Sequence, residues 1–222
     1  MSSLLTLSIQ FLDAAKRGDV VKMRTCYEES NEVINLKDDR GRPSLFLAAE
    51  NGHLEAVQYL VQNGVDMEAT GGLNNWTALF VAVKKNHLEV VRYLVEQGAA
   101  KHTMDGSGRT LLMLAAQKGY AALVAYLLQQ GLDKEKSAID NSDSPLYAAA
   151  ALGHLEVVQR LVQGGANKEF RSSRGETPLH IAAAQSNLEV VLIWCNKGPK
   201  RILSILLVGV HCMLLRLRVT WR

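Results

Sequence analysis

Five segments of this chain align without gaps and return with a period of about 33 residues. They begin GRPSLFLAAENGHLEAVQYLVQNGVD at Gly41, NWTALFVAVKKNHLEVVRYLVEQGAA at Asn75 and GRTLLMLAAQKGYAALVAYLLQQGLD at Gly108. SDSPLYAAAALGHLEVVQRLVQGGAN follows at Ser142 and GETPLHIAAAQSNLEVVLIWCNKGPK at Gly175. Leu45, Leu79, Leu112, Leu146 and Leu179 mark one register, and Gly64, Gly98, Gly131, Gly165 and Gly198 keep the same intervals. Two landmarks in phase over five copies describe a tandem array, in which each unit buries its apolar face against its neighbours. A degenerate copy precedes them: Ala14 and Ala15 lie one period before Ala48 and Ala49. Its outer face is more polar, as a capping unit requires.

Each unit reads as a helical hairpin. Thr177 and Pro178 suit a helix start, Thr as the cap and Pro in the first turn, where its missing N–H costs nothing. Leu179, Ala182 and Ala183 follow at helical spacing, and the alanines allow close approach of the next unit. Gly52, Gly119 or Gly153 marks the reversal. The second helix, residues 87–97 in one copy, sets Leu88, Val91, Leu94 and Val95 on one face. Gly98 then ends it as a left-handed residue would, and the residues up to the next unit form a turn-like finger. A composition of 48% hydrophobic but only 6% aromatic residues suits small side chains packed between helices better than a β-sandwich.

The period, the TPLHIAA run at residues 177–183 and the GHLEVVQRLVQGGAN run at 153–167 resemble ankyrin repeats. The resemblance covers about residues 10–198. It implies an all-α ankyrin-repeat solenoid of helix-turn-helix units with short β-turn fingers. The expected divisions are a capping repeat at 1–37, five repeats at 38–198 and a tail at 199–222. Departures occur at the helix starts, with Pro43-Ser44, Thr77-Ala78 and Thr110-Leu111 in place of Thr-Pro. The motif His survives at His180, while Phe46, Phe80, Met113 and Tyr147 replace it elsewhere. Those swaps are expected to weaken the hydrogen bonding at the turns.

No residue pattern points to catalysis. No nucleophile elbow, HExxH or kinase signature is present, and Gly106-Ser107-Gly108-Arg109 lacks the glycine and Lys-Ser/Thr spacing of a phosphate loop. No enzymatic activity, cofactor or metal is therefore expected. His53, His87 and His154 occupy one repeat position, which would separate them along the array, whereas metal ligands must converge about 2 Å from one point. Their reading is structural. Asp38 and Asp39 read as solvated acids of an exposed turn. Cys26, Cys195 and Cys212 form no CxxC pair, which fits reduced thiols. With no basic n-region and no long apolar h-region at the N-terminus, the expected setting is cytoplasmic or nuclear.

The resemblance also implies a protein partner, bound through finger tips and the exposed ends of the first helices on the concave side of a monomer. Carried over unit by unit, the fingers supply Asp39, Arg40 and Arg42, then Leu73, Asn74 and Trp76, then Ser107 and Arg109, then Asn141 and Asp143, then Arg174 and Glu176. The first helices supply Glu50, Asn51, Lys84, Lys85, Gln117, Lys118, Ala151, Leu152 and Gln185. Trp76 is the leading candidate, because an exposed Trp among basic residues has the composition of a hot spot. The competing reading folds Trp76 onto its own finger. With Arg42, Lys84, Lys85, Arg109 and Lys118, it is expected to form a basic and aromatic patch for an acidic peptide.

Charge separates the tail from the body. The segment 190–222 carries Lys197, Lys200, Arg201, Arg216, Arg218 and Arg222 and no acid, so all 22 Asp+Glu fall within the body, 1–189. The body is slightly acidic and has no nucleic-acid signature. The stretch 202–215 is apolar except for Ser204 and His211. It falls short of the roughly 20 residues needed to span a bilayer. It reads as a cap on the last repeat, as a stretch foreign to the native protein, or, with its basic flanks, as a peripheral membrane anchor.

Overall fold

The structure is a computed structural model that describes residues 2–135 and 144–195. The helices run α1 (Ser2–Arg17), α2 (Val20–Glu29), a 3-10 turn (Asn31–Asn35), α3 (Ser44–Glu50), α4 (Leu54–Gln62), α5 (Ala78–Lys84) and α6 (Leu88–Glu96). They continue as α7 (Leu111–Lys118), α8 (Ala121–Gln129), α9 (Pro145–Ala151), α10 (Leu155–Gln163), α11 (Pro178–Ala184) and α12 (Leu188–Cys195). Among the described residues extended pairing is limited to two isolated bridges, Lys37 with Pro43 and Gly71 with Trp76. The expected all-α class and hairpin unit are what the structure shows.

The chain divides into two compact units at Gly106/Ser107. In the first, α1 packs on α2 and α3, and α3 packs on α4 and α5, which in turn carries α6. In the second, α7 contacts α8 and α9, α9 contacts α10 and α11, and α12 closes against α10 and α11. In the four hairpins that begin with α3, α5, α7 and α9, the first helix is the buried element, whereas α11 leaves Leu179 half-buried and His180 exposed. Residues 44–49, 78–83, 111–116 and 145–150 are buried without interruption. Second helices bury one stripe, such as Val90, Val91 and Leu94 in α6.

Helix starts follow the sequence, with one correction. The Thr77, Thr110, Ser144 and Thr177 hydroxyls each accept the backbone N–H three residues on, at 3.3, 3.2, 3.2 and 3.4 Å. That bond uses the backbone of Phe80, Met113 or Tyr147, so replacing the motif His leaves it in place. Only the side-chain half is confined to His180, whose Nδ1 accepts the Thr177 N–H and lies 2.6 Å from the Thr177 hydroxyl. At α3 Pro43 is the cap and offers no side-chain acceptor, while Ser44 Oγ donates to the Ile34 carbonyl at 3.1 Å.

The histidines are staples between hairpins. Nε2–H of His53, His87 and His154 donates to the carbonyl of Lys16, Glu50 and Gln117, at 3.0, 3.1 and 3.1 Å, always 37 residues back. Asn187 makes the same reach to Ala150 and Ala151 at 2.9 and 3.0 Å. Each bond satisfies a carbonyl at the end of a first helix, which has no partner within its own helix. The reversal glycine makes room for the ring. A Cβ on Gly52, which sits at φ +76°, would lie 2.5 Å from His87 Nδ1. Glutamates tie the loops by a second recurring bond. Glu68 and Glu135 accept the N–H of Ala100 and Asn167, at 2.8 and 2.7 Å, each 32 residues on.

Candidate functional site

Finger one, residues 37–43, is closed by its own acid. The Asp38 carboxylate accepts the N–H of Arg40 at 3.0 Å and of Arg42 at 2.8 Å. Its other oxygen takes Arg42 Nε and Nη2 at 2.8 Å each. Arg42 Nη1 reaches Glu50 on α3 at 3.2 Å, and Lys85 Nζ, just past α5, stands 3.9 Å from the same carboxylate. Burial alone would raise the Asp38 carboxyl; the N–H groups and guanidinium of Arg42 outweigh it and hold the group below the usual carboxylate range. Asp38 is thus a structural acid with a side chain 15% exposed, which corrects its reading as solvated. Arg42, with every arm of its guanidinium engaged, is a brace within the finger rather than an open cation. Asp39 and Arg40 are exposed beside it.

Finger two, residues 70–77, makes the same turn without a side-chain clasp. Gly71 stands where finger one has Asp38. A Cβ there would fall 2.7 Å from the Arg42 Cα and 2.7 Å from the Pro43 ring, so the neighbouring finger excludes every side chain. Gly71 and Trp76 exchange backbone bonds of 3.0 and 3.2 Å, and Lys37 Nζ donates to the Thr70 carbonyl at 2.9 Å. Compared with finger one, the loop holds one residue more, and its apex carries Leu73, Asn74 and Asn75, all exposed.

Trp76 is the main correction among the candidate residues. It is 7% exposed, folded beneath its own finger with Lys84 Nζ 4.1 Å above the ring centroid. Its indole N–H is buried and meets no acceptor among the described residues. The expectation of an exposed aromatic fails because the longer turn brings the ring back over the helix start. Of the candidate residues in the first unit, Asp39, Arg40, Asn51, Leu73, Asn74 and Lys85 reach the surface, with Lys84 half-buried over the indole.

In the second unit Ser107 and Lys118 are exposed and Arg109 is half-buried. The last finger closes as finger one does. Ser172 Oγ, buried, takes the N–H groups of Arg174 and Glu176 at 3.3 Å each. Arg171 donates to the Gly175 carbonyl at 3.0 Å, and Tyr147 OH donates to Glu176 at 2.8 Å. Arg174 is exposed at the apex. At the ends of the first helices, Ala151 and Leu152 stand where the three preceding repeats each carry a charge, and Leu152 is exposed. Asn141 and Asp143 lie outside the described residues, as does the tail from 196. Among the described residues no cluster of three or more His, Cys, Asp and Glu could hold a metal ion, and no helix is long and apolar enough to cross a membrane.

The braces that sequence reasoning missed are Asp38 and Glu50. The signal was there in part, since Asp38 and Arg42 bracket a short turn just before Pro43.

Comparison with known proteins fits this geometry. The family model for ankyrin repeats (3 copies) matches residues 45–138 and 112–202. The mouse ankyrin repeat domain-containing protein 63 is 42% identical over 71 residues, 32% of this chain and 17% of that protein. Human ankyrin repeat family A protein 2 is 35% identical over 68 residues, 31% of this chain and 21% of its own length. Human NAD-capped RNA hydrolase NUDT12 is 37% identical over 57 residues, 26% of this chain and 12% of that protein. The chain thus spans about a fifth or less of these relatives. A chain from the complex of the Bdellovibrio bacteriovorus predatory endopeptidase Bd0816 with immunity protein Bd3460 superposes with a TM-score of 0.74 at 26% identity, covering 85% of this chain and 98% of that one. Ankyrin repeats generally mediate protein–protein contacts and are generally non-catalytic. With the family model covering more than half its length, this chain belongs to the ankyrin-repeat family.

Proposed function

We propose that this protein is a non-enzymatic binding scaffold that engages a protein partner through its finger tips and the exposed ends of its first helices. One contrast carries the reading. The same register positions are buried in the four hairpins that begin with α3, α5, α7 and α9, whereas the exposed apex residues change chemistry from finger to finger: Asp39 and Arg40, then Leu73 and Asn74, then Ser107, then Arg174. Packing fixes the first set and leaves the second free, and exposed loop residues on a rigid frame are where recognition resides. The neighbour from the endopeptidase–immunity protein complex supports the reading by analogy of fold.

The surface in the first unit is less basic than the sequence suggests, because Asp38 and Glu50 already engage Arg42 and Glu50 also approaches Lys85. The ligand that suits it is a protein segment combining an apolar contact for Leu73 with carboxylates for Arg40, Lys84 and Lys85. The test is affinity capture followed by mass spectrometry, with the full chain and with Leu73→Asp/Lys85→Glu. Proteins retained by the wild type and lost by the variant, at equal thermal midpoints, support the reading; identical capture lists overturn it.

A further inference from the structure

The second helices α4, α6 and α10 share one pattern, while α8 carries the small Ala125 after its Leu123-Val124 pair. After the paired apolar residues Ala56-Val57, Val90-Val91 and Val157-Val158 come polar residues at the outward position, Gln58, Arg92 and Gln159. In α12 the pair Val190-Val191 is buried in the same way, but Leu192 stands at the outward position and Ile193 and Trp194 follow. Leu188 and Leu192, one helical turn apart and so on one face, are 61% and 56% exposed. The Trp194 indole N–H is buried and meets no acceptor among the described residues. A terminal repeat needs a polar outer face, and a helix apolar all round is ordinarily covered. α12, whose one charged residue is Glu189, breaks the first rule along its Leu188–Leu192 stripe and comes close to the second.

We propose that the chain's own segment 202–215 covers this face. It contains no Asp, Glu, Lys or Arg, and basic residues bound it at Arg201 and Arg216. Seven chain steps separate Cys195 from Ile202, a reach of about 24 Å. α12 itself is only about 12 Å long, so the segment reaches any point on the exposed face. A covalently attached apolar segment is at high effective concentration, which favours it over a second copy or any free ligand. It also gives Leu192 a reason to differ from Gln58, Arg92 and Gln159, whereas Leu188 keeps the leucine of Leu54, Leu88 and Leu155.

Hydrogen exchange on the full chain tests this, comparing wild type with Leu206→Asp/Val210→Asp. Covering predicts that amides of α11 and α12 exchange on the order of tenfold faster in the variant while those of α7 and α8 stay unchanged. Unchanged exchange in α12 overturns the proposal. A second variant, Leu188→Asp/Leu192→Asp, leaves the segment intact and alters the face; it is expected to speed tryptic cleavage at Arg201 and Arg216 several-fold. Light scattering and flotation with phosphatidylcholine–phosphatidylserine vesicles read the rival occupants. A wild-type dimer lost in both variants would place a second copy on the face, and wild-type flotation lost in Leu206→Asp/Val210→Asp would place the segment in lipid; either result overturns the proposal.

Discussion

Fingers one and two sit side by side in the first unit and close the same turn by opposite means. Finger one uses a carboxylate: Asp38 collects two backbone N–H groups and a guanidinium, and Arg42 passes the connection on to Glu50. Finger two has no side chain at the matching position, because the backbone of finger one occupies the space. It closes instead on an apolar ring, with Trp76 buried under the loop and Lys84 over it. The register of a repeat constrains helices strictly and turns loosely, so one backbone bridge can be held by charge or by burial. Finger two, released from the need for a clasp, accommodates an extra residue and presents Leu73 at its apex.

The largest effect should come from the ring. Trp76→Ala removes an aromatic side chain from a residue only 7% exposed, and should cost ~3–5 kcal/mol. Urea unfolding followed by circular dichroism would measure it. A loss below about 0.5 kcal/mol, the scale of surface substitutions, would mean that finger two is not held by burial.

Asp38→Ala should cost about 1.5–3 kcal/mol, as loss of hydrogen bonds to a charged group. The pH dependence carries the sign. The folded carboxyl titrates below its unfolded value of 3.8, so its stabilisation is complete above that value and fades as pH falls through the lower folded value. The gap between wild type and variant should therefore be constant near neutrality and close in acid. A gap independent of pH would remove the carboxylate from the closure of finger one.

Gly71→Ala places a methyl group against the Arg42 Cα and the Pro43 ring. The fingers must separate, at a cost of about 1–3 kcal/mol. Thermal unfolding of this variant alone and combined with Asp38→Ala should show non-additivity, because both act on the Arg42 backbone. Strict additivity would mean that the two closures are independent.

The same contrast explains what the sequence reveals. The hairpins, their caps and the buried leucines are legible because each depends on residues within one period, where helical spacing and Thr or Ser caps act locally. The histidines are legible as a repeat position but not as donors, since the acceptor lies 37 residues back and is a backbone carbonyl. Trp76 escapes the sequence because its burial depends on loop length and on a neighbouring helix, neither of which the residue itself announces. Arg42 reads as a free cation for the same reason. Charge counts along a chain omit the acids that folding brings alongside, here Asp38 from the turn and Glu50 from the helix.

Lys84→Met should give the smallest change, and it bears on what holds Trp76 down. Methionine keeps an apolar stem over the ring and removes the ammonium that stands 4.1 Å from the centroid. The expected loss is about 0.5–1 kcal/mol, the range for a cation on an indole face near the surface. A double-mutant cycle with Trp76→Leu isolates the pair, because leucine retains burial without the aromatic quadrupole. A coupling indistinguishable from zero would leave burial as the sole closure of finger two. A coupling near the full single-mutant loss would show that finger two also uses charge, directed at a ring where finger one directs it at a carboxylate.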